Sequence, residues 1–123
     1  TIDKNRSWLV KKKLDLKKMK KAIIYFYGTH NFSAFRAASC SAKNPIRTIS
    51  KVNIKKGGDK IIVTFESKSF LQKQVRSMVG CLKYVGENKW KPEKIKHIIV
   101  SKKRKLCAPP APAEGLYLSN VIY

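Results

Sequence analysis

Apolar positions along the chain form three stripes of helical period and two runs that alternate. Leu16, Met19, Ile23 and Phe26 recur at steps of three and four, which places their side chains on one helix face. Asp15 stands where an N-cap is needed, and Gly28 supplies the stop. Lys17, Lys18, Lys20 and Lys21 fall mostly off that stripe. A second helix is predicted from about Ser69 to Val85, with Leu71, Val75, Met78, Val79, Leu82 and Val85 as its apolar face and Gly86 as its end. Lys73, Arg76, Gly80 and Lys83 line the neighbouring strip. A third helix begins near Pro92, packs through Ile95, Ile98 and Ile99, and dissolves into Ser101-Lys102-Lys103-Arg104-Lys105.

The alternating runs lie between the first two helices. Arg47–Lys55 and Lys60–Ser67, joined by Lys56-Gly57-Gly58-Asp59, read as a β-hairpin. Residues 1–13, polar and basic around Trp8, Leu9 and Val10, read as a short extended lead-in. Thr29 to Pro45 has no sustained period and reads as a loop with one helical turn around Ser33–Ala37. The Pro-rich run Ala108–Pro112 cannot be helix or central strand, and Glu114-Gly115 turns the chain into a last strand, Leu116–Tyr123. Hairpins and helices without βαβ alternation make the fold class α+β, an antiparallel sheet packed with helices. A length of 123 residues fits a single domain over 1–123, and 43% hydrophobic residues are enough for a core.

Charge changes the picture most. Against 7 acidic residues stand 28 basic ones, a net +21 that draws in polyanions. Most of the basic residues are lysines, which also serve as plain solvated surface. The arginines Arg6, Arg36, Arg47, Arg76 and Arg104 discriminate better, because a planar fork of donors suits phosphate and carboxylate. Cys40, Cys81 and Cys107 are odd in number, far apart and never in a C-x-x-C pair, which argues against a zinc site and a disulfide framework. Buried thiols in a reducing cytoplasm are the expectation. No apolar run approaches the length of a membrane span. The start shows no signal-peptide stretch, and opening on Thr1 rather than Met points to a trimmed chain.

Five segments taken in order carry a resemblance: HNFSAFRA, PIRTI, FLQKQVRSMVG and APAEGLYL, preceded by a lead-in with Trp8, Leu14-Asp15, Met19, Ala22 and Gly28. Together they resemble the C-terminal half of the TruA-type tRNA pseudouridine synthases, over essentially the whole chain. The resemblance implies a pseudouridine synthase-like C-terminal domain. It also implies isomerisation of uridine to pseudouridine in the anticodon stem-loop of tRNA, with no cofactor and no metal, by a cytoplasmic homodimer. Such chemistry needs the nucleotide flipped from its stack into a closed pocket.

The family's catalytic aspartate lies in an Arg-Thr-Asp context in its N-terminal half. Asp3, Asp15 and Asp59 lack that context, so the catalytic half is expected upstream of this chain, which alone would be inactive. Arg76 stands where the family places the helix arginine that pairs with that aspartate, since a buried carboxylate is costly unless paired. Its plainer reading is a surface arginine beside a helical stripe. The family usually has Asn next, where this chain has Ser77. Leu116 matches the leucine packed against the target base, and Gly115 would let backbone approach the nucleotide. A core leucine and a simple turn explain them equally well.

His30, Phe32, Phe35 and Arg36 share the long loop, with Asn31 in place of the family's Asp. An amide keeps the hydrogen bonding and loses the charge. His30 has no carboxylate near it in sequence, so a hydrogen-bonded structural histidine is the better reading than a general base. His30, Arg36, Arg47 and Lys73 are the candidate tRNA contacts. Around Arg104 the family's acidic residue and glycine are replaced by Lys103 and Cys107.

Two other functions remain open on sequence. A non-catalytic basic RNA-binding module of ribosomal-protein type suits the charge and size, but leaves the EGLYL strand and Arg76 unexplained. An enzyme using Cys40 or Cys107 with His30 or His97 has only scattered residues behind it.

Overall fold

Asp15 starts the first helix as its place ahead of the apolar stripe requires: its carboxylate accepts the Lys18 backbone N–H at 3.2 Å. Helix α1 spans Leu16–Ile23 and continues as a 3-10 turn, Ile24–Phe26. Met19, Ala22, Ile23 and Phe26 are buried, while Lys17, Lys18, Lys20 and Lys21 are exposed. Gly28 then turns the chain at φ +97, a left-handed value that a side chain resists. The computed structural model describes residues 4–10, 14–37, 43–57, 60–71, 73–110 and 116–118.

One five-stranded sheet organises these residues. Its strands are β1 (Lys4–Val10), β2 (Gly28–Asn31), β3 (Ile46–Gly57), β4 (Lys60–Ser67) and β5 (Leu116–Leu118), in the order β2-β3-β4-β1-β5. Every pairing among the described strands is antiparallel. The α+β class with an antiparallel sheet is therefore correct.

Two segments are more ordered than their pattern suggests. The lead-in contains β1, held between β4 and β5 with Lys4 opposite Ser67 and Val10 opposite Ile61. Its partners are more than fifty residues away, so no local periodicity announces it. The loop read from Thr29 begins instead with β2, paired Gly28 to Ile49 and Asn31 to Ile46. A four-residue edge strand is too short to show a period. The helical turn expected around Ser33–Ala37 is a 3-10 turn, Ser33–Phe35.

The β3–β4 hairpin is tighter than read, since Gly57 pairs with Lys60. Along β4, Ile61, Val63, Phe65 and Ser67 are buried and Ile62, Thr64 and Glu66 only half-buried, the period of a strand with one face on the core. In β3 the register shifts at Ser50: Ile49 faces Ser67 while Lys51 faces Glu66. That extra residue is a β-bulge, and it switches the inward positions from odd (Ile49) to even (Val52, Ile54).

Helix α2 spans Gln74–Gly86, starting five residues later than the apolar stripe implied. Leu71 is buried ahead of the helix rather than within it. After a turn, α3 spans Lys94–Ser101, with Pro92 accepting the Ile95 N–H at 3.2 Å. Ile95, Ile98 and Ile99 are its buried face, as expected. A 3-10 turn follows at Arg104–Leu106, and of the last predicted strand Leu116–Leu118 is described.

Four phenylalanines centre the core. Phe26 meets Phe35 edge-on at 5.3 Å and Phe65 at 5.8 Å, and Phe32 packs on Phe35 at 6.1 Å, separations at which aromatic pairs attract. Phe32 and Phe35 of the HNFSAFRA segment are thus core residues. Among the described residues, no helix is long and apolar enough to cross a membrane.

Candidate functional site

The helix that carries Arg76 is fixed at its start by a reciprocal pair of hydrogen bonds. Gln74 Oε1 accepts the Leu71 N–H at 2.8 Å, and the Gln74 N–H donates to the Leu71 carbonyl at 3.0 Å. Gln74 is itself fully buried, so both polar ends are satisfied where water cannot reach. Lys73 precedes the helix in a left-handed conformation, φ 63, and is exposed. It is therefore a turn residue rather than part of the helical strip. Within α2 only Arg76, Lys83 and Tyr84 escape burial. Arg76 is half-buried between buried Val75 and buried Ser77. A cation in that position sits at the edge of an apolar layer, where a carboxylate partner is attracted far more strongly than in open water.

His30 and Arg47 are direct cross-strand partners in the β2–β3 pairing, so they share a face of the sheet. His30 Nε2 lies 2.7 Å from the Tyr27 carbonyl. A carbonyl only accepts, so Nε2 carries the proton, and the ring stands edge-on to Phe32 at 5.8 Å. The His30 ring is thus hydrogen-bonded to the chain's own backbone. Asn31 keeps the acceptor half of the residue it replaces: its Oδ1 takes the Ser33 N–H at 2.9 Å and the Ser33 hydroxyl at 2.6 Å. The 3-10 turn is thereby fastened to β2 without a charge. Arg36 closes that turn in extended conformation and is half-buried.

Arg47 donates through Nη1 to the carbonyls of Asn44 and Ile46, while its Nε is buried without a hydrogen-bond partner. Beside it opens a pocket of about 350 Å³ lined by Ile46, Arg47, Thr48, Ser50, Ser67, Lys68 and Ser69. Two cations and several hydroxyls around one concavity suit an anion. Lys68 and the three serines were not singled out in the sequence. Ser50 sits at the bulge, whose one trace in the sequence is the odd-to-even shift between Ile49 and Val52.

Leu116 opens β5 opposite Trp8 of β1. Gly115, together with Asp3, Asp59, Cys40 and the far end of the last predicted strand, lies outside the described residues. The structure therefore brings His30 and Arg47 together on one edge of the sheet and puts Leu116 on the opposite edge strand. Another approach was invisible in sequence: Cys81 of α2 and Cys107, after the last 3-10 turn, meet at 3.4 Å between sulfurs. Among the described residues, no three His, Cys, Asp or Glu side chains converge as a metal site would need.

A family profile described as tRNA pseudouridine synthase matches residues 22–123, from within α1 to the end of the chain. The chain belongs to the tRNA pseudouridine synthase family. All the candidate residues, His30, Arg36, Arg47, Lys73, Arg76, Gly115 and Leu116, fall inside the matched range. Relatives agree with that assignment. The chain is 57% identical to tRNA pseudouridine synthase A of Pelagibacter ubique, over 100% of its own length and 50% of the relative's. It is 41% identical to the enzyme of the same name from Erythrobacter litoralis, with the same coverage. With that of Xanthobacter autotrophicus it shares 42% identity, over 99% of this chain and 50% of the relative. The chain thus spans about half the length of the curated relatives it matches.

Proposed function

We propose that this chain, as a single domain over residues 1–123, is the C-terminal half of an enzyme that isomerises uridine to pseudouridine in the anticodon stem-loop of tRNA. The observation that carries this reading is the family match across residues 22–123, joined to relatives named tRNA pseudouridine synthase A that are twice as long. In the reaction the C1′–N1 glycosidic bond breaks and a C1′–C5 bond forms. The C5 proton is lost and N1 gains one, so atoms balance without cofactor or metal. The nucleotide must leave its stack for this to happen.

In this reading Arg76 pairs with a catalytic aspartate supplied by the N-terminal half, keeping it ionised and oriented. The half-buried place of Arg76 on α2 supports that role. Leu116 packs on the face of the flipped base, and Gly115 lets the backbone come close. Arg36, Arg47, His30 and Lys73 contact RNA, with the pocket beside Arg47 taking a phosphate. The whole enzyme acts in the cytoplasm as a homodimer with tRNA lying across both subunits. A ribosomal-type binding module leaves the family match unexplained.

The test is release of tritium from tRNA labelled at uracil C5, measured for the full-length protein and for this chain alone. Release by the full-length protein and none by the chain is expected. Tight tRNA binding with no release by either would overturn the isomerase reading.

A further inference from the structure

Cys81 and Cys107 are both free thiols, twenty-six residues apart, with their sulfurs 3.4 Å from each other. Cys81 is fully buried on α2, and Cys107 is half-buried just after the Arg104–Leu106 turn. A disulfide is about 2.05 Å long, so joining these sulfurs needs roughly 1.4 Å of approach. Cys107 is the more exposed residue of the pair, and the Cys81 sulfur lies beside its own. That is the layout thiol–disulfide exchange requires, an attacking sulfur backed by a resolving one.

We propose that Cys81 and Cys107 form a dithiol that low-molecular-weight disulfides, such as oxidised glutathione, convert to an intramolecular disulfide. The Cys107 thiolate attacks one sulfur of oxidised glutathione, giving a mixed disulfide and one glutathione thiolate, which takes up a proton. Cys81 then loses its proton to solvent and attacks the Cys107 sulfur, expelling the second glutathione. Two protein thiols and one glutathione disulfide become one protein disulfide and two glutathione thiols, so the electrons balance. The order of attack follows from exposure. Electrostatics agree: the hydrogen bond from Cys81 holds the Cys107 thiol below its usual range, while that same bond and burial push Cys81 up.

The link would tie α2, which carries Arg76, to the segment that leads into β5 and Leu116. It stands apart from the isomerase reading, because the readout is covalent.

The experiment uses the full-length protein, reduced, desalted and exposed to oxidised glutathione. Remaining thiols are alkylated, and the protein is digested with trypsin without reductant and mapped by mass spectrometry. The expected product is the Ser77–Lys83 peptide joined to the peptide that begins at Leu106, about 2 Da lighter than the sum of the two and separated by dithiothreitol. A glutathione adduct persisting on Cys107, a link from Cys81 to any other cysteine, or both thiols recovered alkylated would each overturn the proposal. In Cys107→Ser protein, Cys81 is expected to stay free of glutathione while the chain is folded. Modification of Cys81 there would overturn the order of attack.

Discussion

Arg76 interrupts a helix that hides ten of its thirteen residues, and a helix so covered offers one narrow strip from which a side chain can reach another segment. If that strip meets the upstream carboxylate, charge alone will not suffice, because a guanidinium holds a carboxylate with two parallel bonds and an ammonium with one. In the full-length protein Arg76→Ala is expected to lower kcat/KM for tRNA by about 10²–10³-fold, the loss typical of one preorganised charged donor. Arg76→Lys should recover only part of it. Tritium release measured beside circular dichroism checks this, since a surface arginine would leave both unchanged. Asn31 makes a smaller prediction. Its Oδ1 accepts twice from Ser33, so Asn31→Ala should cost about 1 kcal/mol in urea unfolding. Asn31→Asp, which keeps the acceptor, should cost less than half of that. Equal losses would mean that the amide nitrogen matters and that the turn is held otherwise.

Elements were legible wherever their pattern is local. The stripe through Leu16, Met19 and Ile23 gave α1 to the residue at its cap, and the alternation through Ile61, Val63 and Phe65 gave β4. What stayed hidden depends on distant partners. β1 is a strand because β4 and β5 lie on either side of it, and β2 because Ile46–Ile49 runs beside it. The α2 start was misplaced because Leu71 is buried like a helical residue without being one. Among the candidate site residues, Arg76 and Leu116 were visible through the motif order, whereas the approach of Cys107 to Cys81 has no trace in spacing. Gly86 was read only as a helix end, and packing gives it a second task. Its carbonyl accepts the Asp15 N–H at 2.9 Å, and a Cβ there would lie 2.7 Å from Met19 Sδ and 3.0 Å from Leu14 Cβ. Met19 can swing its sulfur aside, but Leu14 Cβ cannot move without the backbone. Gly86→Ala is therefore expected to destabilise the protein by about 1–3 kcal/mol, the range for overpacking, although alanine is the better helix former. A thermal melt that rises would show that α1 and α2 are not in contact there.

For the tRNA partner proposed above, the question at the scale of the whole molecule is which part of a +21 chain it meets. Strand order separates His30 and Arg47 from Leu116 by the width of the sheet, on the order of 20 Å at usual strand spacing. One flipped base cannot touch both ends, but a stem-loop can. α1 lies elsewhere: it packs its Met19, Ala22 and Ile23 face towards α2 and β3, which turns Lys17, Lys18, Lys20 and Lys21 outward from the sheet. Salt dependence separates the two surfaces, since each phosphate neutralised adds about 0.7–0.9 to the slope of log affinity against log salt. Changing the four α1 lysines to Gln in the full-length protein is expected to shift that slope by less than one contact. Arg36→Gln with Arg47→Gln should lower it by about 1.4–1.8, two contacts' worth. The reverse result, a loss of about 3 from α1 and none from the arginines, would move the RNA surface onto the helical layer and leave the pocket beside Arg47 without a phosphate to hold.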